Sequence, residues 1–132
     1  MSILERLPEP ITFFRELGGL HDAKIVNITW NVFRRSATLE VDDLNANFYG
    51  LPEYSGKKHA LIIFGEVEDM QLNCDAKQAD KQRVYELEML KDEGSKKYKL
   101  TMRISPSGQL NFMCEFVEIQ IDEVGGKAQS QA

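Results

Sequence analysis

The sequence is poor in the residues that most often carry metal ions or covalent cross-links. Its two cysteines, Cys74 and Cys114, lie far apart and match no metal-ligand spacing. We therefore expect two free, buried thiols in a reducing compartment. Only two histidines are present. This scarcity predicts no metal and no cofactor.

Long apolar segments are also missing. The longest fully apolar run, residues 60–64, is far too short to span a bilayer. The N-terminus lacks the basic segment and apolar run of a secretory signal peptide. The sequence therefore predicts a cytoplasmic protein that does not bind membranes.

Positive charge is in deficit as well. The formal net charge of −5 at pH 7 argues against nucleic-acid binding, because phosphate recognition needs a basic surface. The same charge favours a basic protein partner over an acidic one. Nothing in the sequence indicates an oligomeric state.

A chain of 132 residues is long enough for one domain whose core is stable without disulfide bonds or bound metals. No internal repeat or shift in composition marks a second domain. We expect residues 1–124 to fold as this single domain. Residues 125–132 are small and polar, and we expect them to form a disordered tail.

Helix signals are confined to the first twenty residues. A capping box, Ser2-x-x-Glu5, predicts one short helical turn that ends at Pro8. A second helix is predicted over residues 10–17, with proline at its first position and an apolar stripe of helical period. Two glycines then terminate it. Because this helix is only two turns long, it must dock on the rest of the domain to persist.

After residue 22 the apolar period changes to two, which is typical of half-buried strands. Gly65 predicts a bulge or a close backbone approach. Between Phe116 and Val117 the apolar parity flips, so we expect a bulge that bends one long strand or passes it to a second sheet. The predicted fold is mainly β (α+β): an antiparallel sheet, rolled or two-layered, with the short N-terminal helix docked on it. The predicted strands are residues 26–32, 37–41, 59–67, 70–74, 85–89, 98–104 and 110–121.

Turn residues suggest the registers of two hairpins. A Phe-Arg-Arg-Ser turn after the first strand predicts that Trp30 lies opposite Leu39. A Ser-Pro-Ser-Gly segment near the C-terminus predicts a three-residue hairpin loop. This second turn places Leu100 opposite Cys114.

His21 and Asp22 lie between the predicted helix and the first predicted strand. Such a pair can bind a metal, or the acid can orient the histidine as a general base. However, adjacent residues of an extended segment point to opposite faces and cannot easily share one metal. We favour a structural role, in which one of the two side chains satisfies backbone groups at the junction.

A second polar cluster, Asp43-x-Asn45-x-Asn47, resembles the start of a calcium-binding loop. That pattern requires glycine at its sixth position and a bidentate glutamate at its twelfth. Phe48 and Tyr54 occupy those places here. A turn-forming cluster of acid and amide side chains is the better interpretation.

The first hairpin brings Asp42 and Asp43 back to the end of the sheet where the chain enters it at His21 and Asp22. We call the resulting group the acidic rim and predict it as the binding site. Polar groups flanked by aromatic and proline residues suit a protein-contact surface. Equally, the aromatics can pack beneath the loop as an extension of the core. The predicted binding residues are His21, Asp22, Asp42, Asp43, Asn45, Asn47, Tyr49 and Tyr54.

Three segments carry a resemblance to a known group of proteins. Leu20-His21-Asp22-Ala23-Lys24-Ile25 resembles the Leu/Phe-His-Asp-Ala/Ser-x-Ile/Val motif of small bacterial β-rich proteins of uncharacterised function. Residues 61–67 are similar to their apolar-Phe-x-x-Val strand, and residues 108–119 are similar to their closing strand. Some of these proteins are immunity proteins of polymorphic-toxin systems. The resemblance implies a β-rich inhibitor rather than an enzyme.

Together these observations predict a cytoplasmic, non-catalytic protein-binding module, of which an immunity-type inhibitor of a toxin is the sharpest form. No Ser-His-Asp or Cys-His set emerges from the sequence. The alternative is a small hydrolase or ligand-binding protein that uses the His21/Asp42 part of the rim. A deep pocket or a bound metal there would favour the alternative, and a flat aromatic surface would favour the module.

Overall fold

A computed structural model describes residues 4–74 and 81–123. Most of the chain forms strands of three to nine residues, as expected from the period-two pattern. In chain order they are β1 (Leu4–Arg6), α1 (Pro10–Glu16), a first 3₁₀ turn (Gly18–Leu20), β2 (Ile25–Asn31), β3 (Ser36–Val41), a second 3₁₀ turn (Ala46–Phe48), β4 (Lys58–Gly65), β5 (Glu68–Cys74), β6 (Arg83–Lys91), β7 (Tyr98–Ser105), β8 (Gly108–Cys114) and β9 (Phe116–Glu123).

The strands form two antiparallel sheets, which confirms the predicted fold class. The five-stranded sheet has the order β1-β9-β4-β3-β2, and the four-stranded sheet has the order β5-β8-β7-β6. Backbone hydrogen bonds from Asp22 N to Val84 O (2.8 Å) and from Ile25 N to Gln82 O (3.0 Å) join the start of β2 to the start of β6. The two sheets are therefore tied together along this side, and the whole arrangement is rolled.

On another side, two neighbouring strands cross from one sheet to the other. β4 continues into β5, and β8 continues into β9 after a single residue, Glu115. Glu115 N donates to Gly65 O (2.9 Å) at this crossing. A Cβ atom on Gly65 would overlap the ring of Phe116, so glycine allows the ring to lie against the backbone. The parity flip before Val117 thus marks a passage between sheets, as predicted.

The core lies between the two sheets and α1. The ring of Phe14 in α1 stacks on Phe64 with centroids 6.3 Å apart, and Phe64 meets Phe112 edge to face at 5.0 Å. The predicted helix is confirmed, with Pro10 in its first turn. Gly18 and Gly19 follow it with φ of 69° and 67°, a conformation that favours glycine.

Both hairpin registers differ from the predicted ones by two residues. Trp30 lies opposite Ala37 rather than Leu39, because residues 32–35 form a four-residue turn. Leu100 lies opposite Phe112 rather than Cys114. A shift of two leaves every side chain on the same face of its sheet, so the apolar pattern cannot distinguish the two registers.

Two other local predictions are wrong. Residues 4–6 are not helical: they form β1, which pairs with β9 through contacts that no local sequence signal reports. Cys74 is exposed at the end of the edge strand β5, whereas Cys114 is buried as expected. Burial raises the pKa of the Cys114 thiol to about 12. The predicted disordered tail, residues 125–132, lies outside the described residues.

Among residues 4–74 and 81–123, no helix is long and apolar enough to cross a membrane.

Candidate functional site

The loop between β3 and β4 is organised around the carboxylate of Asp43, which is only 6% exposed. Its Oδ1 accepts hydrogen bonds from Asn45 N (2.9 Å) and Lys58 N (3.1 Å), and its Oδ2 accepts one from the Tyr54 hydroxyl (2.8 Å). A buried carboxylate is tolerated only when such donors satisfy it. Asp43 therefore holds the two ends of the loop together.

Asn45 provides the second support for the loop. Its Nδ2 donates to Ser55 Oγ (3.1 Å) and to Gly56 O (2.8 Å). Backbone hydrogen bonds of 2.9 to 3.1 Å span residues 46–54 in successive turns. The acid and amide side chains thus form turns, which confirms the interpretation that we preferred to a calcium loop.

Two tyrosines project from this loop. Tyr49 is 77% exposed, and its ring meets that of Tyr54 edge to face at 5.4 Å. The hydrogen bond to Asp43 raises the pKa of Tyr54 to about 12, with further contributions from burial and from the nearby carboxylate charge. Tyr54 is therefore a neutral phenol that fixes one side of the exposed Tyr49 ring.

A cleft of about 530 Å³ opens between this loop and the beginnings of β2 and β6. It brings together six of the eight predicted rim residues. Asn45 is buried within the loop instead, and His21 contacts Tyr85. The lining residues are Asp22, Asp42, Asp43, Ala46, Asn47, Tyr49, Tyr54, Lys57 and Arg83.

Hydrogen bonds hold the carboxylate of Asp42 and the backbone of Asp22, the two more accessible acids of the cleft. Lys24 N donates to Asp42 Oδ1 (2.9 Å), and Asp42 N donates in return to Lys24 O (3.1 Å). Arg83 Nη1 donates to Asp22 O (3.1 Å), so β6 is held against the same junction. Among the described residues, no hydrogen bond reaches the second carboxylate oxygen of Asp42. Asp22 and Asp42 can therefore accept hydrogen bonds from a cationic ligand.

The His21–Asp22 pair differs from its predicted geometry. The side chains were expected to point apart, yet His21 Nε2 lies 3.6 Å from Asp22 Oδ1. The reason is that Asp22 has a φ of 70°, so the segment is not extended. His21 Nδ1 donates to Tyr85 O (2.6 Å), since a carbonyl oxygen can only accept. His21 thus satisfies a backbone group of β6, and not one at the junction between the helix and the first strand where we predicted it.

A second histidine cluster lies in the five-stranded sheet and was missed by the sequence. His59 Nε2 is 2.5 Å from Glu40 Oε2, and its Nδ1 is 3.4 Å from Asp122 Oδ2. The three residues belong to β4, β3 and β9, so only knowledge of the strand order could have brought them together. Within residues 4–74 and 81–123, no group of three or more His, Cys, Asp or Glu side chains is arranged to hold a metal ion.

Three lining residues of the cleft were also missed. Lys57 and Ala46 lie in the same loop as the predicted rim, and their proximity could have been inferred from sequence position. Arg83 comes from β6 in the other sheet and carries no sequence signal of its role. The two cations partly balance the charge of the three acids.

Comparison with known proteins gives a structural similarity only. No protein-family model matches the sequence, and no curated protein matches it. A crystal structure of an uncharacterised protein from Neisseria gonorrhoeae is similar over 90% of this chain and 96% of that chain, with 12% sequence identity and a TM-score of 0.48. Over residues 4–74 and 81–123 the chain is β-rich, with two antiparallel sheets and one short α-helix.

Proposed function

We propose that the protein is a cytoplasmic, non-catalytic protein-binding module whose cleft receives a basic side chain of a partner protein. The observation that carries this proposal is the exposed Tyr49 ring, fixed by Tyr54 beside the carboxylates of Asp22 and Asp42. Tyrosine is enriched among residues that dominate interface energies, because it offers a large contact area at low entropic cost. A lysine or arginine side chain fits between such a ring and two carboxylates.

Charge supports a partner of this kind. The chain carries a formal net charge of −5, so its overall field attracts a basic protein at long range. Lys57 and Arg83 also line the cleft and would repel a cation that approached from their side. Specificity therefore depends on how the basic side chain is oriented between Tyr49 and the acids.

An inhibitor of a toxin, of the immunity type, is the sharpest form of this proposal. The resemblance of residues 20–25 to small bacterial β-rich proteins, some of which are immunity proteins, supports it, since Asp22 of that segment lines the cleft. An inhibitor needs only to cover a basic surface of its target and requires no catalytic group of its own. The firm order of the loop also suits inhibition, because little entropy is lost when it binds.

A ligand-binding protein or small hydrolase is the second candidate, and the size of the cleft favours it. Small-molecule sites commonly enclose roughly 300–1,000 Å³, and about 530 Å³ lies within that range. Such sites are mostly apolar, however, whereas six of the nine lining residues here are Asp, Asn, Lys or Arg. The polar lining is why we favour the protein partner.

The two candidates are separated by testing Tyr49 directly. The product of the gene adjacent to this one is purified, and its binding is measured by calorimetry. We expect Tyr49→Ala to weaken that binding by about 30-fold or more, the loss typical of a dominant interface residue. The matched control is Phe33→Ala, which removes an aromatic ring that is 94% exposed in the β2–β3 turn.

Both variants must retain the thermal stability of the natural chain. Equal binding by Tyr49→Ala and the natural chain contradicts the proposed contact. Failure to bind the neighbouring gene product, together with stabilisation by a small molecule that Tyr49→Ala abolishes, supports the ligand-binding candidate instead.

A further inference from the structure

In the part of the chain that the structure describes, the four edge strands of the two sheets are protected to very different degrees. An unprotected edge presents backbone donors and acceptors that can pair with another chain, and proteins usually block it with charges, bulges, short strands or covering elements. β1 is three residues long and carries Glu5 and Arg6. β5 begins with two acids and a bulge. β6 carries four charged side chains, and α1 packs against it.

β2 has none of these charges. Its seven residues include no charged side chain and no proline. Its bulge lies between Ile25 and Asn27, at the end where Ile25 already bonds to Gln82 of the other sheet. Beyond the bulge, residues 27–31 pair regularly with residues 36–40 of β3 on one side. No strand within residues 4–74 and 81–123 pairs with their other side.

We propose that residues 27–31 of β2 pair antiparallel with the same residues of a second copy of this chain, about a two-fold axis at Thr29. In this register Thr29 lies opposite Thr29 of the second copy. Ile28 lies opposite Trp30, and Asn27 lies opposite Asn31, each twice by symmetry. The two sheets of five strands thereby join into one sheet of ten across the dimer.

The side-chain pattern of β2 fits this particular partner. A two-fold interface must be self-complementary, because each residue meets the symmetry mate of another residue of the same surface. Centred on Thr29, the register matches apolar with apolar side chains on the face of Leu39 and polar with polar side chains on the face of Thr38. The same symmetry brings Val32, exposed in the turn, beside Val26 of the second copy.

The absence of charge along this edge allows a second copy to approach it. The chain as a whole carries −5, so two copies repel one another unless they meet at uncharged surfaces. Residues 25–33 form an uninterrupted uncharged segment that includes this edge. A ladder of five residues is small, and we expect a weak dimer that forms reversibly as concentration rises.

A charge-swap experiment tests the register itself. Sedimentation equilibrium is measured between about 10 μM and about 1 mM, the range in which small interfaces become populated. The natural chain should approach twice its mass of 15.1 kDa. Thr29→Lys and Thr29→Asp should each remain monomeric, because the axis places like charges in contact. Mixed in equal amounts, the two variants should form a heterodimer.

The matched control is Gln71→Lys, which adds the same charge at an exposed site on β5, the edge of the other sheet. It should dimerise as the natural chain does. The single tryptophan, Trp30, is 50% exposed and lies in the proposed ladder, so its fluorescence should shift to the blue on association. A natural chain that stays monomeric, or a mixture that does not reassociate, overturns the proposal.

Discussion

The loop over residues 42–57 and the strand crossing at Gly65 and Phe116 hold their shapes by opposite means. The loop has a buried carboxylate at its centre, with three donors around Asp43. The crossing has packed rings and a glycine at its centre, with Phe116 against Gly65 and Phe64 against Phe112. Hydrogen bonds to one charged group fix the loop, whereas contact area and shape fix the crossing.

The difference shows how a surface can be ordered without belonging to the core. The sequence allowed the aromatic residues of the loop to form either a contact surface or an extension of the core. In the structure Tyr49 is exposed, while Tyr54 is partly buried and donates a hydrogen bond to Asp43. Leu44 anchors the start of the loop in the apolar core, whereas the exposed part around Tyr49 depends on the hydrogen bonds of Asp43 and Asn45. We expect substitutions in the two regions to differ in how far their effects spread.

The largest loss of stability should come from a substitution in the packed core at the strand crossing. Phe64→Ala removes a ring that contacts both Phe14 and Phe112, and we expect it to lower the free energy of unfolding by about 3–5 kcal/mol. Denaturant titration measures this value. Hydrogen exchange should accelerate throughout both sheets. A loss below about 1 kcal/mol would mean that the core re-packs around the cavity.

A smaller and more local effect is expected at the centre of the loop. Asp43→Ala leaves the backbone N–H groups of Asn45 and Lys58 without their acceptor, and we expect a loss of about 2–4 kcal/mol. Exchange should accelerate mainly within residues 44–57. Asp43→Asn keeps one acceptor oxygen and should lose less than half as much. Equal losses for the two variants would show that the negative charge of Asp43, rather than its capacity to accept hydrogen bonds, holds the loop.

The smallest effect should appear only at high pH. The folded pKa of Tyr54 is raised from 10.0 to about 12, so its contribution to stability is fully present below pH 10 and is lost as pH rises through about 12. The ultraviolet absorbance of tyrosinate should show the late titration of Tyr54 in the natural chain. Tyr54→Phe should remove that late step and weaken the dependence of stability on pH in this range. Loss of a phenol that titrates near the ordinary pKa of 10.0, with the late step retained, would contradict the hydrogen bond to Asp43.

The sequence was most informative where periodicity alone decides the structure. The apolar stripe of α1, which includes Phe14, follows from the 3.6-residue period. The passage between sheets follows from the switch of apolar residues from even to odd positions at Val117. Registers were less predictable, since a shift of two residues keeps the same faces buried. Turn conformation decides between such registers, and it depends on contacts beyond the hairpin.

The candidate site was partly predictable for a related reason. Hairpin topology was enough to bring Asp42 and Asp43 near Asp22, because consecutive strands return to the same end of the sheet. Arg83 could not be foreseen, since it comes from the other sheet, where Val84 N donates to Ala23 O and Val84 O accepts from Asp22 N. Nor does any local pattern announce the positive φ of Asp22, which brings that side chain to His21.

The support that Asp43 gives has a consequence for how such a surface changes over time. Its bonds to Asn45 and Lys58 go to backbone groups, so they do not depend on which side chains those positions carry. Exposed positions such as Tyr49 and Leu51 rest on this support without contributing to it. Their side chains are free to vary by point substitution while the loop keeps its shape. A fold of this kind can acquire new binding preferences with little change in its stability.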